Sequence, residues 1–122
     1  DLRSVLNFGH SIGHALESLD AGLSHGEAVA IGMSLETRIS ELLGIAEPGL
    51  TTRLERVLAA YRLPTRVKPS WSISGTLLGV GYDKKRRDDE IVLALPEKVG
   101  AVGLYGINLR SAFPKLLKEV WK

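Results

Sequence analysis

Apolar positions recur at helical spacing over most of the chain, then change to a short unbroken run near its end. Val5, Phe8, Ile12, Ala15, Leu16 and Leu19 share one stripe of a helix expected from about Arg3 to Leu19. After the break at Asp20 to Ser24, the positions Ala28, Ile31, Leu35, Ile39 and Leu42 predict the buried face of a second helix. It should begin near His25 and end at Gly44, a C′ glycine. Pro48-Gly49 interrupts the pattern, and Thr51 or Thr52 is placed to cap a third helix with Leu54, Val57, Leu58 and Tyr61 on its apolar face. Pro64 closes that helix, and a weaker fourth is expected over Ser72 to Lys85 despite Gly75, Gly79 and Gly81. The run Ile91 to Leu95, the turn PEKVG and Ala101 to Tyr105 then predict a small hairpin. A last helix follows to Trp121, with Asn108 as cap and Pro114 near its start or kinking it. The expected fold is mainly α: a helical bundle with a small β-hairpin near the C-terminus.

The polar side of the first helix changes this picture from a plain bundle to a site. Arg3, Asn7, His10 and His14 stand at offsets of 0, 4, 7 and 11. At about 100° per residue these fall within roughly 60° of one another. Gly9 and Gly13 flank the stripe, each costing about 1 kcal/mol in a helix against alanine. They point to the close approach of another backbone or a ligand. His25, the remaining histidine of the chain, follows the turn at Asp20 and Gly22. Imidazoles from one helix and from the start of the next can converge on one cation, and catalytic zinc sites use three protein ligands plus an open position. By spacing alone, His10 and His14 at i, i+4 are the natural pair. The zinc-protease motif needs a glutamate directly after the first histidine; Ser11 stands there, which argues against a protease. Glu27 is open to two readings, a ligand beside His25 or an acid favoured at a helix N-terminus.

Composition sets bounds. At 122 residues with 44% hydrophobic content, the chain is one domain's worth and can bury a core. The net charge of +2 is dispersed except for Lys84 to Arg87, so neither nucleic acid nor a membrane surface is an expected partner. With no cysteine there is no disulfide or thiolate metal site, and with no signal peptide or apolar run of about 18 residues a cytoplasmic protein is expected. There is no GxGxxG and no alternation of strand and helix, so no dinucleotide-binding fold is expected within this chain. The opening Asp1-Leu2-Arg3 lacks an initiator Met, and the sequence reads as a fragment or an excised domain.

The stretch LNFGHSIGHALE, followed by LSHGEAVAIGM, resembles the metal-site signature of 3-dehydroquinate synthases and their sugar-phosphate cyclase relatives. A weaker echo is Asp83-Lys84-Lys85 followed by IVLALPEKVG. The resemblance implies the C-terminal metal- and substrate-binding domain of an enzyme that uses NAD and Zn²⁺ or Co²⁺. It implies conversion of a seven-carbon keto-acid sugar phosphate into 3-dehydroquinate and phosphate. It further implies His10 and His25 as metal ligands, completed by an upstream glutamate, with His14 in substrate contact and proton transfer. Arg3 and Asn7 would bind the substrate's phosphate end, joined by Lys84 or Lys85. The implied partners are the sugar phosphate, the N-terminal domain and a second copy in a homodimer. Two rivals remain: a metal-dependent alcohol or glycerol dehydrogenase, and a stand-alone helical metal-binding or interaction module.

Overall fold

The computed structural model describes residues 6–81 and 89–122. Five helices and one antiparallel hairpin make up the described fold: α1 (His10–Leu19), α2 (His25–Leu42), α3 (Leu50–Ala60), α4 (Ile73–Gly81), β1 (Glu90–Lys98), β2 (Ala101–Asn108) and α5 (Ala112–Val120). The expected mainly helical bundle with a C-terminal hairpin is what the chain adopts.

α2 is the central strut. Its residues Ala28, Ile31, Leu35 and Ile39 are almost fully buried, as the spacing predicts, whereas Leu42 in its last turn is 52% exposed. Ser24 caps it, accepting a bond from the Glu27 N–H, while the Glu27 carboxylate accepts the Ser24 N–H. That reciprocal pair satisfies two helix-end donors. Gly44 follows with φ 76°, the left-handed conformation expected of a C′ glycine.

The first expected helix is not continuous. Leu6 and Asn7 are helical, the chain turns at Phe8-Gly9, and α1 starts afresh at His10. The cause is tertiary. Gly9 takes φ 82°, and its N–H donates to the buried Glu36 carboxylate of α2 at 2.8 Å. A Cβ on Gly32 would lie 2.2 Å from the Gly9 carbonyl oxygen, and one on Gly13 would lie 3.1 Å from that of Ala28. The close backbone approach expected at Gly9 and Gly13 is therefore that of α2. α4 uses the other flank of α1: a Cβ on Gly79 would meet that of Ala15 at 2.8 Å.

α3 departs from expectation at both ends. Its N-cap is Gly49, not a threonine side chain, and the free N–H groups of Gly49 and Thr51 donate to Glu41 of α2 at 3.1 and 2.7 Å. Of its expected apolar face only Leu58 is buried; Val57 and Tyr61 are 55% and 76% exposed. The hairpin is longer than its apolar run, pairing Glu90 with Asn108 through Pro96 with Val102, and it turns tightly at Val99-Gly100. Ile91, Leu93 and Leu95 join Ile12, Leu16, Ile39, Phe113 and Leu117 in one core. Asn108 accepts bonds from the N–H groups of Arg110 and Ser111, and Pro114 sits in the first turn of α5, where proline is tolerated. Trp71 is buried and Trp121 and Tyr105 pack on the core, leaving Tyr61 as the exception among the aromatics expected to pack.

Candidate metal centre

The break at Phe8-Gly9 falls between Asn7 and the imidazoles, so no continuous helical stripe runs from Asn7 through His10 and His14. What replaces it is a cluster built across two helices. His10 and His14 remain one turn apart on α1, and His25 opens α2 directly after its capping serine. The ring centroids lie 5.6 Å apart for His10–His14, 5.4 Å for His10–His25 and 6.0 Å for His14–His25. All three histidines of the chain thus meet at one point on the surface, with His14 and His25 exposed and His10 half-buried.

Two of the rings are anchored. The Nδ1 of His10 lies 3.1 Å from the Phe8 carbonyl oxygen. A carbonyl only accepts, so this bond puts the proton on Nδ1 and leaves the Nε2 lone pair free. The Nδ1 of His25 lies 2.9 Å from Glu17 Oε1. Among the described residues the His14 ring has no hydrogen-bond partner. The turn between α1 and α2 is pinned by Asp20, whose carboxylate accepts from Lys68 Nζ at 2.8 Å, the Gly22 N–H at 2.9 Å and Trp71 Nε1 at 3.3 Å. The Lys68 hydrogen bond, then that of Gly22, holds the Asp20 carboxyl below the usual range.

Neutral imidazole nitrogen is a donor suited to zinc and cobalt. Rings at these separations, two with Nδ1 occupied by an oxygen, fit such a cation. A second combination also exists: one donor atom each from His14, Glu17 and His25 lies within 4.8 Å of the others. Glu17 closes the LNFGHSIGHALE stretch, one turn after His14 on α1, but its hydrogen bond is with His25, eight residues away across a turn. Glu27 serves the α2 cap, and its carboxyl is lowered mainly by the Ser24 N–H. Asn7 is half-buried one turn before His10. Arg3, Lys84 and Lys85 lie outside the described residues. A separate groove of about 340 Å³ is bordered by Phe8, Leu54, Val57 and Val99, with Arg53 and Lys98 as its charged groups. Without imidazole or carboxylate it offers no chemistry of this kind.

Residues 1–86 match the family model described as 3-dehydroquinate synthase C-terminal. The chain belongs to the 3-dehydroquinate synthase family. It is 37% identical over 103 residues to the 3-dehydroquinate synthase of Synechocystis sp., covering 83% of this chain and 28% of that protein. It is 40% identical over 114 residues to that of Chlamydia pneumoniae, covering 81% and 30%. The chain thus spans under a third of the length of these curated relatives. Solved structures share the fold of this family member. A 2-deoxy-scyllo-inosose synthase complexed with carbaglucose-6-phosphate, NAD⁺ and Co²⁺ superposes with a TM-score of 0.78 at 21% identity, over 93% of this chain and 34% of that one. The 2-epi-5-epi-valiolone synthase of Streptomyces hygroscopicus, with NAD⁺ and Zn²⁺ bound, does so with a TM-score of 0.74 at 23% identity, over 93% and 31%.

Proposed function

We propose that this chain is the metal- and substrate-binding C-terminal domain of a 3-dehydroquinate synthase, an NAD- and metal-dependent lyase. The substrate is a seven-carbon keto-acid sugar phosphate, and the products are 3-dehydroquinate and phosphate. The observation that carries the reading is the meeting of the three imidazoles within 6.0 Å, two of them held at Nδ1. The relatives at 37% and 40% identity favour dehydroquinate synthase over the other cyclases and over alcohol or glycerol dehydrogenases.

His10 and His25 are the ligands for Zn²⁺ or Co²⁺, completed by a glutamate from the N-terminal domain. When bound, the metal supplies Lewis acidity toward a substrate oxygen, and NAD accepts and returns a hydride. His14 stands beside the pair with its ring unanchored among the described residues, placed to give or take a proton at a ring nitrogen; imidazole suits this work near neutral pH. Asn7 supplies an amide to the substrate, with Arg3, Lys84 and Lys85 binding its phosphate or carboxylate groups. NAD is held mainly by the N-terminal domain, so this domain alone is inactive. The complete enzyme is a cytoplasmic homodimer. Among the described residues no helix is long and apolar enough to cross a membrane.

A coupled assay tests the reading. The complete enzyme, given NAD and zinc or cobalt, should release inorganic phosphate from the seven-carbon substrate and form 3-dehydroquinate. Turnover of a hexose 6-phosphate or a simple alcohol in its place would overturn it.

A further inference from the structure

We propose that Glu17 is a positioning residue for His25. Its carboxylate accepts the Nδ1 proton, fixes one ring tautomer, and so makes Nε2 the nitrogen that His25 offers to a divalent cation. The proposal rests on the metal-centre reading above and adds to it a role for Glu17, the last residue of the LNFGHSIGHALE stretch, that the spacing of the histidines does not assign.

Chain geometry explains why His25 needs a partner. It is the first residue of α2, and its side chain is 58% exposed. The cap formed by Ser24 and Glu27 fixes its backbone but leaves the ring free to rotate or change tautomer. Glu17 lies three residues after His14 on α1, on the same helix face. From there it reaches across the turn pinned by Asp20 and meets Nδ1 at 2.9 Å. A carboxylate accepts only, so the proton of the bond belongs to the imidazole. The half-buried His10 meets the same need with the Phe8 carbonyl oxygen. Both rings therefore carry an oxygen acceptor on Nδ1, the arrangement that orients metal-bound histidines and raises their basicity.

The distance also argues against Glu17 as a ligand. Two donors on one tetrahedral zinc with bonds of about 2.0–2.1 Å sit roughly 3.4 Å apart. The 2.9 Å contact is a hydrogen-bond length and shorter than that edge. In the alternative grouping of His14, Glu17 and His25, with one donor atom of each within 4.8 Å of the others, a metal would have to compete with this hydrogen bond for the Glu17 carboxylate.

Glu17→Gln and Glu17→Ala, compared with the unaltered protein, decide the matter by two independent readouts. The first is the His25 tautomer in metal-free protein, read from long-range ¹H–¹⁵N correlations at a pH where the spectra show neutral rings. The unaltered protein and Glu17→Gln, whose amide oxygen still accepts, should show Nδ1 protonated. Glu17→Ala should shift His25 toward the Nε2-protonated form. The second is zinc affinity by calorimetry, with cobalt absorption as the check on ligand number. Glu17→Ala should bind about 10–100-fold more weakly, and Glu17→Gln should recover most of that loss with an unchanged cobalt spectrum. Loss of metal from Glu17→Gln as complete as from Glu17→Ala would make Glu17 a ligand and overturn the proposal. An identical His25 tautomer in all three proteins would overturn it too. No zinc uptake by the unaltered protein, with the tautomer still set by Glu17, would instead overturn the metal-centre reading.

Discussion

A methyl group at position 9 would lie 2.5 Å from Met33 Cγ and 2.7 Å from the Val29 carbonyl oxygen, on a backbone already at φ 82°. Gly9→Ala should therefore cost about 2–4 kcal/mol, strain and overpacking together. Gly26→Ala is the control, since nothing lies within 4 Å of its added methyl; helix propensity should make it neutral or up to about 1 kcal/mol stabilising. Urea unfolding of both checks this, and a Gly9→Ala protein as stable as the control would contradict the close packing of α1 on α2. The same residue marks what sequence could and could not deliver. Its cost in a helix pointed correctly to a close neighbour, but nothing local revealed the left-handed φ, because Glu36, twenty-seven residues on, supplies the acceptor that stops the helix. The contact between Glu17 and His25 was hidden for a like reason: it exists only once α2 folds back to bring His25 within reach.

At the scale of elements, helical periodicity was clearest in α1 and α2, because a 3.6-residue repeat is written directly in their buried positions. Ends supplied by another element were not legible. α3 takes its N-terminal acceptor from Glu41, so Thr51 and Thr52 misled as caps. Burial pushes the Glu41 carboxyl up, but the Thr51 and Gly49 hydrogen bonds outweigh it and leave it below its ordinary 4.5. A carboxyl lowered on folding stabilises fully above its unfolded value and loses that contribution as pH falls through the folded one. Glu41→Ala should thus cost about 1 kcal/mol near neutral pH. The gap in thermal melting between it and the unaltered protein should close below about pH 4; a gap that widens on acidification would contradict the assignment. The hairpin exceeded its expected span because Pro96 and Glu97 continue β1 to a tight turn at Val99-Gly100, which apolar content alone does not define.

For the whole molecule, the mainly helical architecture and the convergence of the histidines were legible from the motif, since spacing along α1 and the short turn to α2 leave little freedom. Whether i, i+4 spacing or the family pattern decides the ligands was not, because both arrangements use the same three rings. The structure separates the rings physically: His10 and His25 are anchored at Nδ1, and His14 is unanchored among the described residues. The central claim is that the anchored pair holds the metal while His14 moves protons. His10→Ala in the complete enzyme should lose metal and activity together. The most direct measurement is the metal content of purified His14→Ala enzyme, taken alongside its turnover. Metal should stay near the unaltered stoichiometry while turnover drops about 10²–10⁴-fold, the usual contribution of a general acid–base group. A metal-free His14→Ala protein would contradict the account and make His14 a ligand.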